Sequence, residues 1–225
     1  AVPTMTRGWL SCQACSRAAV ASACLPAWGQ DVVGHATRLA RENFQVSGRP
    51  IPMSIIRALV TIKRSMARAN AQFTDATGVD VATAEAIVHA ADDVLRGDWD
   101  DQFSIDVFQT GSGTSTNMNV NEVLAALAER HLVGSRVHPN DHVNASQSTN
   151  DVFPTAVRIA ALSEIRDVLL PGLDVLHDAL VDRADEFADV VKAGRTHLMD
   201  ASPITLGLTG WTTITCRAPV VSACG

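Results

Sequence analysis

Two stretches of the chain repeat apolar residues at the spacing of a helix. The first begins after Pro52 and runs from Ile55 to Met66, with Lys63 among its polar positions. The second runs from Thr83 to Leu95 and stops at Gly97. Because residues three and four apart share one helix face, both stretches predict amphipathic helices.

A longer apolar ladder lies in the second half of the chain. Its members stand three, four or seven residues apart: Leu162, Ile165, Leu169, Leu173, Leu176, Leu180 and Phe187. Pro171 lies inside the ladder, and proline kinks or splits a helix because it lacks a backbone donor and clashes with the preceding turn. The ladder continues in phase beyond Pro171, which favours one long, kinked bundle helix.

Both ends of the chain lack such a pattern. Residues 1–40 hold few charges and show no sustained period, and the helical period fails again after Leu206. The sequence therefore predicts an all-α fold in four parts. These are an unpatterned segment at 1–40, an N-terminal helical domain at 41–134, the start of a central long-helix bundle at 135–207, and an unpatterned tail at 208–225.

Composition and charge exclude some classes of protein. The 18 Lys and Arg are outnumbered by 24 Asp and Glu, which gives a net charge of -6, and no basic run occurs. This balance argues against a nucleic-acid partner. No charge-free apolar run reaches about 18 residues, so we expect no membrane span. Arg17 interrupts the one segment that resembles a signal peptide, and we therefore expect a cytoplasmic protein.

The cysteines all lie near the two ends: Cys12, Cys15, Cys24, Cys216 and Cys224. The pair Cys12-Gln-Ala-Cys15 lacks the second ligand pair of a zinc site and the strand-helix-strand context of a redox site. The pattern favours small apolar filler residues over either chemistry.

The first of three polar segments runs from Gln109 to Asn119. Its hydroxyl groups, among them Ser112 and Thr114, and its glycines suit an anion, but no Gly-Lys-Ser/Thr follows as in a nucleotide phosphate loop. Asn119 and Glu122 have the spacing of a capping box, which predicts that the segment precedes a helix and lies at its positive end. A surface linker with a helix cap remains the alternative.

The second polar segment, residues 136–151, is dense in imidazole, amide and hydroxyl groups. Such donors orient a carboxylate without needing a metal. His138 and His142 lie four residues apart around Pro139, which is unlike the continuous helix of a zinc protease, so a metal site is the less favoured alternative.

The third polar segment runs from Gly194 to Pro203. Ser202 and Pro203 are the residue types of an N-cap and a first helical position, which predicts a helix start there. His197 is a candidate proton carrier because histidine titrates near neutrality, although a single histidine more often has only a structural role.

Together the three segments resemble the class II fumarases of the fumarase and aspartase superfamily over about residues 41–207. The resemblance lies in Phe108-Gln-Thr-Gly-Ser-Gly-Thr114 with Thr116-Asn-Met-Asn119, in His138-Pro-Asn-Asp141 with Gln147-Ser-Thr-Asn-Asp151, and in Gly194-Arg-Thr-His197. The order of these segments along a chain of predicted helices supports the resemblance. His197 favours fumarases over aspartases, which usually carry glutamine at this place.

The resemblance implies reversible addition of water to fumarate, giving L-malate, without a metal or an organic cofactor. It implies a site assembled from three subunits of a homotetramer, with His197 acting in proton transfer through a water. The substrate-binding residues that it implies are Ser112, Gly113, Thr114, Ser148, Thr149, Asn150 and Thr196. It also implies a second dicarboxylate site at His138, Pro139, Asn140 and Asp141.

The family's later Gly-Ser-Ser loop and Met-Pro-Gly-Lys-x-Asn motif do not occur in these residues. The sequence thus looks like a truncated N-terminal half with reading-frame errors at both ends, and we expect it to be inactive and poorly folded alone. Two alternatives stay open. One is an aspartate ammonia-lyase, and the other is a non-catalytic helical fragment whose apolar ladder binds a partner.

Overall fold

The structure is a computed structural model that describes residues 32–132 and 134–214. Its helices are α1 (His35–Asn43), α2 (Met53–Asn70), α3 (Thr74–Thr77), α4 (Val81–Arg96), α5 (Thr114–His131), α6 (Thr149–Glu164), α7 (Leu170–Glu186) and α8 (Leu206–Ile214). Two strands, β1 (Val191–Thr196) and β2 (Met199–Thr205), form one hairpin. Within these ranges no helix is long and apolar enough to cross a membrane.

The first two predicted helices are confirmed as α2 and α4. Asp80 caps α4 by accepting a hydrogen bond of 2.7 Å from the backbone N–H of Thr83. Gly97 ends the helix in the left-handed conformation, at φ 94°. Helix α2 packs against α4 and α6, and α4 packs against α5. Ile56, Leu59 and Ile87 are among the fully buried side chains of this core.

The long helix predicted from the apolar ladder is also present. Helix α6 continues through a π-helical turn, Ile165–Leu169, directly into α7. Pro171 is near the start of α7, where the wider turn before it accommodates its missing donor. Leu162 and Leu176 of the ladder are 67% and 55% exposed, so this helix presents much of its apolar face outward.

The third polar segment folds differently from the prediction. Among the described residues the one sheet is the β1–β2 hairpin, in which Thr196 pairs with Met199 across a turn formed by His197 and Leu198. The predicted helix start at Ser202-Pro203 is wrong because both residues lie in β2, and the helix begins at Leu206. Pairing with β1 supplies backbone partners for this segment, and a two-stranded sheet has the open edges that accommodate proline.

The capping box predicted from Asn119 and Glu122 is wrong as well. Both residues lie inside α5, which begins five residues before Asn119 at Thr114. The Glu122 carboxylate instead accepts hydrogen bonds from the backbone N–H groups of Gly34, Ala36 and Thr37, at 3.1, 2.9 and 3.0 Å. It therefore caps α1, a helix that begins within the segment predicted to be unpatterned.

At the other end, α8 extends to Ile214, beyond the predicted loss of pattern after Leu206. Helix α8 packs closely on α7, since a Cβ on Gly207 would lie 2.3 Å from the carbonyl oxygen of Ala184. The five cysteines lie outside the described residues, so their prediction stays a prediction.

Candidate active site

The first two polar segments meet where α5 and α6 begin, and this meeting point of the two helix starts is called the junction. Gly113 precedes the first residue of α5, and Ser148 precedes the first residue of α6. The side-chain N–H of Asn117 in α5 donates a 3.0 Å hydrogen bond to the hydroxyl oxygen of Thr149 in α6. The sequence separates these two residues by 32 positions, and the fold brings them into contact.

Gly113 allows the two helix starts to approach each other. Its φ of 69° is in the left-handed region, and a Cβ there would lie 2.4 Å from the ring of Phe153 in α6. Beside it, the hydroxyl oxygens of Ser112 and Thr114 lie 2.9 Å apart, and both residues are exposed. The glycine thus places two hydroxyl groups at the rim of the junction.

Backbone donors are also available at this junction. Within the described part of the chain, the N–H groups of Thr114 and Ser115 in α5, and of Thr149 and Asn150 in α6, donate no hydrogen bond. Helix N-termini carry a partial positive charge and favour bound anions. Two such termini in contact are suited to a carboxylate group.

Hydrogen bonds made by Gln109 and Asp106 hold the Ser112 loop in place. The side-chain nitrogen of Gln109 donates to the hydroxyl oxygen of Thr116 at 2.7 Å, and the side-chain oxygen of Gln109 accepts from the backbone N–H of Thr116 at 3.0 Å. The Asp106 carboxylate accepts backbone hydrogen bonds from Phe108 at 2.8 Å and Ser47 at 2.7 Å. Burial by itself raises the pKa of Asp106, but these and neighbouring hydrogen bonds outweigh it and lower that pKa to about 2.

Sequence reasoning missed a buried lysine behind the junction. Lys63 was expected on the polar face of α2, yet its side chain is 0% exposed, because the loop that contains Asn144 and Gln147 covers it. Its ammonium donates to the side-chain oxygens of Asn144 at 3.1 Å and Gln147 at 3.3 Å. Burial lowers the pKa of Lys63 to about 7.

The four residues of the predicted second dicarboxylate site form one exposed turn. His138 precedes the π-helical turn Pro139–Val143, and its Nδ1 accepts a hydrogen bond from the N–H of Asp141 at 3.2 Å. The N–H of His138 donates in turn to Nδ1 of His142 at 2.9 Å. Across residues 32–132 and 134–214, no three His, Cys, Asp or Glu side chains are grouped so that they could hold a metal ion.

Thr196 and His197 are separated from this junction by a long helical run. Both are exposed at the tip of the hairpin, where His197 has a φ of 50°. The helical run from Thr149 to Glu186 separates the hairpin from the junction, and at 1.5 Å per residue it is about 55 Å long. Among the described residues, no hydrogen bond joins Thr196 or His197 to the junction. One copy of the chain therefore brings together two of the three polar segments.

The chain is similar to known proteins over most of its length. The chain is 50% identical over 171 residues to the class II fumarate hydratase of Corynebacterium glutamicum, an alignment that covers 76% of this chain and 35% of that protein. Its identity to the class II fumarate hydratase of Halobacterium salinarum is 52% over 178 residues, with 77% and 37% of the two chains covered.

A solved structure, the recombinant class II fumarase of Schistosoma mansoni, superposes with a TM-score of 0.76 at 38% identity, covering 85% of this chain and 40% of that one. The chain thus spans well under half the length of the relatives that it matches. The sequence profile of the lyase family matches residues 30–217. The chain therefore belongs to the lyase family.

Proposed function

We propose that the chain carries the carboxylate-binding part of a fumarate hydratase, which adds water reversibly to fumarate to give L-malate. The observation that carries this proposal is the hydrogen bond of 3.0 Å between Asn117 and Thr149, because it joins the starts of α5 and α6. Identities of about 50% to class II fumarate hydratases support it.

The chemistry of the reaction requires such a junction. Removing a proton next to a carboxylate builds a second negative charge on the substrate, and donors that already point at that charge lower the barrier. Around the junction, Ser112, Gly113 and Thr114 belong to the start of α5, and Ser148, Thr149 and Asn150 belong to the start of α6. Their hydroxyl, amide and backbone donors bind the substrate carboxylates in our proposal.

Thr196 and His197 complete the site from another copy of the chain. The helical run of about 55 Å between the hairpin and the junction supports this part of the proposal, since it holds the two apart within one copy. His197 then moves a proton through a water, within a homotetramer in the cytoplasm. The turn at His138, Pro139, Asn140 and Asp141 provides the second dicarboxylate site.

A chimeric enzyme tests the proposed function. Residues 41–207 of this chain replace the matching residues of the Corynebacterium glutamicum relative, and fumarate formation from L-malate is followed by ultraviolet absorbance. We expect a tetrameric, active chimera that loses activity on the change Thr149→Ala. A folded tetramer without activity would contradict the proposal. Ammonia release from aspartate in place of malate turnover would favour the ammonia-lyase alternative.

A further inference from the structure

Lys63 is a buried cation without a counter-ion among residues 32–132 and 134–214. Its side chain is 0% exposed, and its two hydrogen-bond acceptors, Asn144 and Gln147, are neutral amides. In the part of the chain that the structure describes, no carboxylate lies within ion-pairing distance of its ammonium. Burial of an ammonium is costly unless an anion lies nearby, so this position calls for a negative charge that the described residues do not supply.

A path of hydrogen bonds leads from Lys63 to the carboxylate site. The side-chain oxygen of Asn144 accepts from Lys63 at 3.1 Å and from the amide nitrogen of Asn117 at 3.2 Å. That same nitrogen of Asn117 donates to the hydroxyl oxygen of Thr149 at 3.0 Å. The path therefore runs through two amides and ends on a hydroxyl at the start of α6.

Lys63 fixes the orientation of both amides. An ammonium only donates, so Asn144 must turn its oxygen toward Lys63, and its nitrogen then donates to the carbonyl oxygen of Gln147 at 3.1 Å. The Asn144 oxygen in turn requires a donor from Asn117. The side-chain oxygen of Asn117 is left buried without a hydrogen-bond partner, so the contact with the Asn144 oxygen sets the orientation of this amide.

This orientation determines where the proton of Thr149 points. Because the Thr149 oxygen accepts from Asn117, its own O–H is available to an outside acceptor. If the Asn117 amide were reversed, its oxygen would accept that proton and the substrate would lose a donor. The hydrogen bonds of Asn117 to Asn144 and Thr149 thus leave the Thr149 hydroxyl to act as a donor.

We propose that Lys63 is a positioning residue of the carboxylate site, which acts through Asn144 and Asn117 to aim the Thr149 hydroxyl at a substrate carboxylate. The inference rests on the proposed function, since it takes a dicarboxylate as the ligand at the start of α6. The carboxylate also supplies the negative charge that the buried ammonium lacks.

The test is fumarate binding to the chimeric enzyme that carries residues 41–207, measured by calorimetric titration at about pH 6, where Lys63 carries its charge. Lys63→Met keeps the length of the side chain and removes its donors and charge. We expect binding about tenfold weaker, which corresponds to about 1.4 kcal/mol. Lys63→Arg keeps donors and charge and is expected to restore part of the affinity. Lys192→Met, on the hairpin, is the matched control and should bind like the wild type.

A double-mutant cycle separates positioning from a general structural role. In a Thr149→Ala background, Lys63→Met should cause no further loss, because the hydroxyl that it aims is gone. Asn144→Ala removes the link between Lys63 and Asn117 without removing a buried charge. This variant replaces Lys63→Met in the cycle if Lys63→Met does not fold.

Three results overturn the inference. Equal losses in the two backgrounds, or an unchanged affinity in Lys63→Met and Asn144→Ala, would refute the positioning role while the proposed function stands. A folded, tetrameric chimera without these changes that binds no fumarate would refute both together.

Discussion

Replacing Glu122 by glutamine removes the charge that caps α1 from a neighbouring helix. The carboxylate is 8% exposed and accepts three backbone hydrogen bonds, from Gly34, Ala36 and Thr37, as well as one from the Thr37 hydroxyl. Glutamine has one acceptor oxygen, and its amide N–H₂ would face donors. Three of the four hydrogen bonds end on one carboxylate oxygen and the bond from Ala36 ends on the other. Glu122→Gln therefore loses or reverses at least one of the four, and those that remain lose their charged acceptor.

The expected loss of stability follows from these contacts. Hydrogen bonds to a charged group contribute about 1.5–3 kcal/mol each, and the exposed side of α1 lets some freed N–H groups bind water instead. We expect Glu122→Gln to lower the free energy of unfolding by about 3 kcal/mol, relative to typical single changes near 1 kcal/mol. Helix α1 should fray before the rest of the protein unfolds.

Urea denaturation followed by circular dichroism measures this difference, with the slope against urea as a check on two-state behaviour. Glu85→Gln is the matched control, because Glu85 is exposed on α4 and makes none of these contacts. The control should stay within about 0.5 kcal/mol of the wild type. If Glu122→Gln also stayed within that range, the cap would not stabilise α1 as we infer.

Three further predictions concern the junction and its supports. Gly113→Ala should lower the free energy of unfolding, measured by urea denaturation, by about 3 kcal/mol, because it combines a left-handed φ with a clash on the Phe153 ring. A Cβ on Gly111 meets nothing within 4 Å, so Gly111→Ala should change that free energy little. The lowered pKa of Asp106 should make the wild type lose stability as pH falls from about 4 toward 2, and Asp106→Asn should remove that slope in acid titrations. The lowered pKa of Lys63 means that the unfolded chain binds more protons above about pH 7, so stability should rise from there to about pH 10. Lys63→Met should abolish that rise, and an unchanged rise would contradict the burial of Lys63.

The helical frame could be predicted from the sequence because apolar periodicity is local. Helices α2 and α4 each carry their apolar period within one short stretch, and α4 also has its cap, Asp80, and its stop signal, Gly97, directly beside it. The ladder of α6 and α7 stays in phase through Pro171, and the structure keeps it as one helical run.

The hairpin could not be predicted because its signals are absent from the sequence. Its turn residues are His197 and Leu198, although two-residue hairpin turns with positive φ strongly favour Asn-Gly or Asp-Gly. Most of its strand residues are exposed, so no apolar alternation marks β1 or β2.

The contacts of the candidate site were hidden for a different reason. Lys63 lies 81 residues from Asn144, and Glu122 lies 88 residues from Gly34. Polar residues at such positions are indistinguishable from solvent-exposed ones in sequence, and only the fold reveals that other segments cover them. The residue types of the junction were predicted, whereas the path of hydrogen bonds behind Thr149 was not.

The most direct test of the account asks whether two copies of the chain share one site. In the chimera, Thr149→Ala removes the junction hydroxyl and His197→Ala removes the hairpin imidazole, and each variant alone should be inactive. When both are expressed together, random mixing leaves about a quarter of the sites with both groups intact, and we predict that fraction of the activity. Mixed tetramers without activity would contradict a site that joins Thr149 of one copy to His197 of another.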